Sequence, residues 1–290
     1  MQITSMFENK TVFSFEIFPP KKTSPIETIY DTLDALQDLH PDFISVTLGA
    51  GGSGNGANTI AVVRRLKEYG VTPMAHIPCM YQTKEQIDNI LDQLEDAGIE
   101  NVLALRGDRV EGMQPAKDFT HADELIRYIK ARGGFDICAA CYPECHPEAP
   151  NLSTDIAYLK QKVDAGATHL ITQLFFDNET FRDFRFRVEQ AGIHVPIEAG
   201  IMPVTNRKQI ENMVTKCGAS LPRKFTKMVQ RFESKPDALR DAGIAYAVEQ
   251  IVDLVTDGVD GIHIYTMNNP YVARKITEAV SGIIKAAPDC

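Results

Sequence analysis

Leu103-Ala104-Leu105-Arg106-Gly107-Asp108 is an apolar run that stops abruptly at a cation, a glycine and a carboxylate. A buried strand with a charged tip reads this way. Arg106 is suited to meeting an anion, Gly107 lets a backbone approach closely, and Asp108 stands where a ligand would arrive. A lone Arg–Asp pair in a tight turn would look the same. The question is therefore whether other strands end in the same manner.

Working outward, one phrase recurs: a helical pattern, a glycine, then a short apolar run. It occurs at Tyr69-Gly70-Val71, Ala97-Gly98-Ile99, Gly133-Gly134-Phe135, Ala165-Gly166-Ala167, Ala191-Gly192-Ile193 and Asp257-Gly258-Val259. Each glycine fits the residue after a helix C-terminus that feeds the next strand. Apolar runs predict strands near 12–17, 43–48, 72–77, 101–105, 136–141, 169–174, 196–201 and 261–265. Helical patterns separate them. Thr83 and Gln86 form a candidate capping box, with Ile87, Ile90, Leu94 and Ala97 as the apolar face behind it. Leu152, Ile156, Leu159 and Val163 make a similar face. Strand–helix alternation at this length predicts an α/β fold of the (β/α)8 TIM barrel type, with a doubly wound open sheet as runner-up. The connection 203–260 is long enough for extra helices between strands seven and eight. With no linker or low-complexity segment, residues 1–290 are expected to form a single catalytic barrel domain.

In a barrel the chemistry sits at the C-terminal ends of the strands. Those ends supply Glu16, Thr47, His76, Asp108, Tyr142, Gln173 and Tyr265, a set that packing alone does not explain. Glu16 lies in Phe13-Ser14-Phe15-Glu16-Ile17-Phe18-Pro19-Pro20. An acid among aromatics should be partly desolvated, the setting in which a carboxyl keeps its proton near neutral pH and serves as a general acid. A buried glutamate paired to a base is the equally good alternative on this stretch. Gly49-Ala50-Gly51-Gly52-Ser53-Gly54 fits the dinucleotide fingerprint, but it follows the second strand and Pro73-Met74-Ala75 stands where a ribose-binding acid belongs. It reads better as a loop over the barrel mouth. Cys138 and Cys141 should point to opposite faces of one strand, and with Cys79 isolated and Cys145 beyond the strand, no metal set is expected. Asp155 and Lys162 share a helix face two turns apart. Arg223, Lys224, Lys227 and Arg231 read as a solvated basic face.

Composition bounds the function. The 290 residues are 44% hydrophobic and 24% charged, with net charge −9 and six cysteines. That argues against nucleic-acid and anionic-membrane partners and fits a cytoplasmic protein with reduced thiols. An anionic ligand would need a local basic site.

The stretches around Glu16 and Asp108, together with Ser45-Val46-Thr47-Leu48-Gly49-Ala50, Tyr142-Pro143-Glu144-Cys145-His146-Pro147-Glu148-Ala149, Lys162-Val163-Asp164-Ala165-Gly166-Ala167, Ile171-Thr172-Gln173-Leu174-Phe175-Phe176-Asp177, Gly200-Ile201-Met202-Pro203-Val204 and Tyr265-Thr266-Met267-Asn268, carry a resemblance. In this order the chain resembles the bacterial type of 5,10-methylenetetrahydrofolate reductase over nearly its whole length. The resemblance implies FAD lying across the strand ends, reduced by NADH or NADPH and reoxidised by the folate, in a homo-oligomer. It places Thr47, Leu48, Ala50, His76, Arg106, Gly107, Asp108, Ala122, Tyr142, His146, Ala149, Asp155 and Lys162 at the cofactor. It makes Glu16 the general acid and Asp108 the carboxylate near flavin and pterin, and puts Gln173, Gln209 and Tyr265 at the substrate. Met213 stands where the enterobacterial form has a phenylalanine over the nicotinamide, and Asn269 where it has a substrate-side arginine. A proline dehydrogenase-like flavin barrel and a cysteine-ligated metal or electron-transfer subunit are the competing classes.

Overall fold

The computed structural model describes residues 1–20, 24–48 and 56–287. Parallel strands β1 (Val12–Ile17), β2 (Phe43–Val46), β3 (Thr72–Pro78), β4 (Asn101–Leu105), β5 (Asp136–Cys141), β6 (His169–Thr172), β7 (Ile197–Ile201) and β8 (Gly261–Tyr265) form a closed barrel in chain order. β8 pairs with β1 and closes it, which excludes the open sheet. β2 and β6 stop short of their apolar runs. Thr47 N still bonds Ile17 O at 3.1 Å and Gln173 N bonds Cys141 O at 2.7 Å, but the chain then leaves the ladder for the barrel mouth.

Helices α1 (Tyr30–Gln37), α2 (Gly56–Glu68), α3 (Lys84–Asp96), α4 (Ala122–Arg132), α5 (Leu152–Ala165) and α6 (Asn178–Gln190) follow β1 to β6 in turn. After β7 come α7 (Arg207–Cys217), α8 (Arg223–Phe232) and α9 (Pro236–Thr256), the extra helices of the long connection, and α10 (Pro270–Ala286) follows β8. The Thr83–Gln86 capping box opens α3 with both bonds formed. Its buried stripe is Ile87, Leu91 and Leu94, with Ile90 and Ala97 only partly buried, so Leu91 belongs to the face that the sequence assigned to Ile90. The recurring glycines 70, 98, 133, 134, 166, 192 and 258 all have positive φ, as their position after a helix requires. Asn151, Asp177, Asn206 and Asn269 each cap the helix that follows them.

The period of two divides each strand between two environments. Phe13, Phe15 and Ile17 of β1 pack outward with the helices in the main core, as do Val102 and Ala104 of β4 and Ile262 and Ile264 of β8. Val12, Phe43, Met74, Leu103, Cys138 and Ile171 fill the lower barrel together with Ile3 and Met6 from the 3-10 turn Ile3–Glu8. That turn plugs the bottom: Thr4 N and Oγ1 donate to Asp136 at 2.8 and 2.6 Å. Cys138 thus points inward while Cys141 packs outward. Among the described residues no group of three or more His, Cys, Asp or Glu is arranged to hold a metal, and no helix is long and apolar enough to cross a membrane. The glycine-rich stretch 49–54, Ala50 included, and the side chain of Met213 lie outside the described residues.

Candidate active site

Register builds the centre of the mouth. Glu16 pairs with Ser45 on one side and Tyr265 on the other, and Ser14, one inward step below, pairs with His263. The Glu16 side chain is 17% exposed. Among the described residues its ion-pair partners within 4.0 Å are two imidazoles: His76 Nε2 at 3.7 Å and His263 Nε2 at 3.9 Å from Oε2. Both are too long for hydrogen bonds. Burial lowers the pKa of His76 to about 4, against the opposing pull of the Glu16 carboxylate. His76 is therefore neutral near pH 7, and its Nε2 is buried without a hydrogen-bond partner. Both sequence readings, a partly desolvated acid and a buried glutamate facing a base, are compatible with these two imidazole neighbours.

Tyr265 lies over the same floor. Its hydroxyl donates to Thr172 O at 2.6 Å, and its ring meets that of His263 edge-on at 5.4 Å. This pose depends on Gly200, where a Cβ would stand 2.7 Å from the Tyr265 hydroxyl and 2.3 Å from Thr172 O. The hydroxyl's bond to Thr172 leaves the ring face as the surface Tyr265 offers a ligand.

The rim beyond β4 and β5 carries the cations. Arg106 is held at both guanidinium nitrogens by Glu148, at 2.7 and 2.8 Å, and the pair holds the Glu148 carboxyl below the usual range. Gly107 sits at φ +91°, and a Cβ there would lie 3.0 Å from Pro78 Cβ, so only glycine fits without strain. Asp108 is exposed and close enough to act on Arg106 and Tyr142 electrostatically. Burial pushes the Tyr142 phenol up to about 12, and its ring packs edge-on against His146 at 4.6 Å. The loop after β5 is tied to α5: Asp155 accepts from His146 N at 2.8 Å, and His146 O accepts from Ala149 N at 2.8 Å. Lys162, two turns along the same face, donates to Ala140 O at 2.8 Å, and burial lowers its pKa.

The other anticipated residues are placed as follows. Thr47 O accepts from Thr59 Oγ1 at 3.0 Å and Leu48 is buried beside it. Ala122 opens α4 and is buried. Gln173 Oε1 accepts from Leu174 N at 2.9 Å, and its side chain opposes the rise in the Tyr142 pKa. Gln209 on α7 accepts from Thr205 Oγ1 at 3.4 Å. Asn269 is the N-cap of α10, accepting from Val272 N at 3.3 Å, so its amide is committed to the helix. Asn268, at φ +54°, clasps Phe18 through both backbone groups at 3.0 and 2.9 Å and thereby fixes the chain that follows Glu16.

Sequence reading missed Ser14, Ser45, Glu198 and His263, all buried and polar inside the barrel. A signal existed for three of them. Ser14 precedes Glu16 by one inward step, His263 precedes Tyr265 likewise, and Glu198 interrupts the apolar run of β7 with a charge.

Known proteins resemble this chain in sequence and in fold. A family model described as Methylenetetrahydrofolate reductase matches residues 2–281. A 5,10-methylenetetrahydrofolate reductase of Pectobacterium carotovorum subsp. carotovorum is 35% identical over 277 residues, covering 95% of this chain and 91% of that one. The protein of that name from Escherichia coli K12 is 36% identical over 264 residues, covering 91% and 88%. A methylenetetrahydrofolate reductase (NADH) of Arabidopsis thaliana is 37% identical, but this chain spans only 47% of its length. In structure, an uncharacterized Clostridium thermocellum protein that binds two copies of 5-methyl-5,6,7,8-tetrahydrofolic acid superimposes with TM-score 0.68 at 13% identity, covering 97% of both chains, a likeness of fold. An acid facing two imidazoles, a cationic rim, and relatives alike over nine-tenths of the chain converge: the chain belongs to the methylenetetrahydrofolate reductase family.

Proposed function

We propose that the chain is a single-domain flavoenzyme that reduces 5,10-methylenetetrahydrofolate to 5-methyltetrahydrofolate with electrons from NADH or NADPH, supplying methyl groups for methionine synthesis. The observation that carries the reading is Glu16 at the barrel mouth, beside a neutral imidazole and with no lysine or arginine among its described ion-pair partners.

The residues present fit FAD. Arg106 is a strand-end cation, Lys162 is a second one drawn in from α5, and the backbone at Gly107 is bare enough for close approach. Thr47, Leu48, His76, Tyr142, His146, Ala149 and Asp155 complete the surface that would hold it, with Ala122 at the start of α4. When bound, FAD supplies the two-electron relay between the nicotinamide and the folate.

The protein's own part is placement, charge and one proton. Ring opening of the folate substrate needs a proton on N10, and Glu16 delivers it. Asp108 offers negative charge to the iminium cation that ring opening leaves on the pterin. Gln173 and Gln209 orient the substrate, and the Tyr265 ring forms the floor beneath it. The buried His76 imidazole, neutral near pH 7, helps exclude water without competing for the Glu16 proton.

Anaerobic rapid mixing tests the reading. Purified protein loaded with FAD should be bleached by NADH or NADPH, and the colour should return on adding methylenetetrahydrofolate. Protein that takes up no FAD, or reduced protein that the folate leaves bleached, overturns it.

A further inference from the structure

Glu198 has no place in the chemistry above, yet it is a carboxylic acid wholly inside the barrel, with no exposed surface. Register puts it beside Gly261, where a Cβ would lie 2.7 Å from its Cγ, so β8 leaves space for this side chain. Its Oε1 lies 2.7 Å from Ser14 Oγ, while Oε2 is buried without a partner. Ser14 Oγ is also 2.6 Å from His263 Nδ1. The other ring nitrogen, Nε2, faces Ser45 Oγ at 3.5 Å and Glu16 Oε2 at 3.9 Å. The His263 ring is held between Phe43, stacked at 6.0 Å, and Tyr265, edge-on at 5.4 Å.

A serine hydroxyl has one proton and cannot donate across both short contacts. A proton on Glu198 Oε2 would meet no acceptor, which leaves two arrangements. In one, a Glu198 carboxylate accepts from Ser14, Ser14 accepts from Nδ1–H, and Nε2 is bare. In the other, a protonated Glu198 donates from Oε1 to Ser14, Ser14 donates to Nδ1, and Nε2 carries the hydrogen. Burial outweighs the hydrogen bond from Ser14 and, with Asp42 and Asp260 adding to it, holds the Glu198 carboxyl well above the usual range. Its proton belongs on Oε1, where a partner waits.

We propose that Glu198 is a positioning residue: through Ser14 it fixes the Nε2–H tautomer of His263 and so aims a hydrogen-bond donor at Glu16. This rests on Glu16 being the general acid. When Glu16 gives its proton to N10, Oε2 becomes anionic, and His263 Nε2–H is the donor ready to meet it. A bare Nε2 would oppose that charge with a lone pair.

Long-range proton–nitrogen NMR on protein labelled with 15N-histidine reads the tautomer directly, with His263 identified by its loss in His263→Gln. Wild type should be Nε2–H. Glu198→Gln keeps an N–H donor for Ser14 and should keep that tautomer. Glu198→Met removes the donor. Ser14 can then turn its proton to Ile262 O, 3.5 Å away, and accept from Nδ1–H, so the spectrum should shift toward Nδ1–H. Ser14→Ala breaks the same link and serves should the methionine variant fail to fold. In the rate of folate reduction by reduced enzyme, Glu198→Met or Ser14→Ala should lose about tenfold, less than the roughly 10⁴-fold of a wrong tautomer where the imidazole itself moves the proton. Glu198→Gln should stay near wild type. An Nε2–H signal unchanged in both Glu198→Met and Ser14→Ala overturns the link from Glu198 to His263. A shifted tautomer with an unchanged folate rate overturns the link from His263 to Glu16. If wild type itself fails to reduce the folate, the functional reading falls, while the spectrum still decides the tautomer.

Discussion

A single carboxyl at Glu16 is asked to do what its surroundings permit. Among the described residues its ion-pair partners within 4.0 Å are imidazoles, one of them kept neutral by burial. Glu16→Gln tests the role, because it preserves shape and polarity while removing the transferable proton. Fold and FAD content should survive. Reduction by NADH needs no proton from this residue and should run at a comparable rate, whereas folate reduction should fall by roughly 10²-fold or more, the usual scale for a lost general acid. Were Glu16 a structural glutamate instead, both half-reactions and the melting temperature would fall together. Measuring the two half-reactions separately, with FAD occupancy as the control, decides between them. Its neighbour Asn268 shows how strain is used at this scale: an asparagine tolerates positive φ, and its amide closes both backbone groups of Phe18.

Elements position these residues through register and close approach. The strands were legible because helix-terminating glycines punctuate the chain before each apolar run, and because a buried parallel strand reads as continuous apolar sequence. The same continuity hid the interior. Ser14 and His263 alternate with Phe13, Phe15, Ile262 and Ile264, and only the closure of the barrel makes the polar half of each strand face a common axis. The rim was legible for Arg106 and Lys162 as cations, but not the Glu148 pairing, which depends on where the loop after β5 turns back. The α9 contact was not legible at all. Gly243 lies within α9, where glycine ordinarily costs about 1 kcal/mol relative to alanine. A Cβ there would stand 1.7 Å from Val204 O, so the helix rests its bare backbone on the chain leaving β7. Gly243→Ala should therefore destabilise by about 1–3 kcal/mol or more, as overpacking does, despite the better helix propensity. It should also raise the KM for folate, since Val204 leads into α7 and Gln209. A melting temperature equal to or above that of wild type would show that α9 shifts freely.

Across the whole molecule, the buried ionisable groups set how stability depends on pH, and they act in opposite directions. His76 and His169 are each lowered by burial from 6.5 to about 4 in the folded chain. As pH falls through about 6.5 the unfolded chain takes up these protons and the folded chain does not, so stability is lost from there down to about 4. His146, also lowered, adds in the same direction. Glu198 does the reverse: its folded pKa lies well above 4.5, so the unfolded chain releases a proton that the folded chain retains. Its contribution is complete below 4.5 and is lost as pH rises toward the folded value. Between 4.5 and 6.5 the histidines outnumber the glutamate and stability rises with pH. Above about 6.5 the histidines stop contributing and Glu198 turns the slope downward, by at most about 1.4 kcal/mol per pH unit. The urea midpoint should thus peak near pH 6.5 when followed from pH 5 to 8. Glu198→Gln carries no titrating proton, so its midpoint should level off above pH 7 while the acid limb persists. A wild-type midpoint still climbing from pH 7 to 8, or an equal decline in Glu198→Gln, would mean that Glu198 is ionised within the folded barrel.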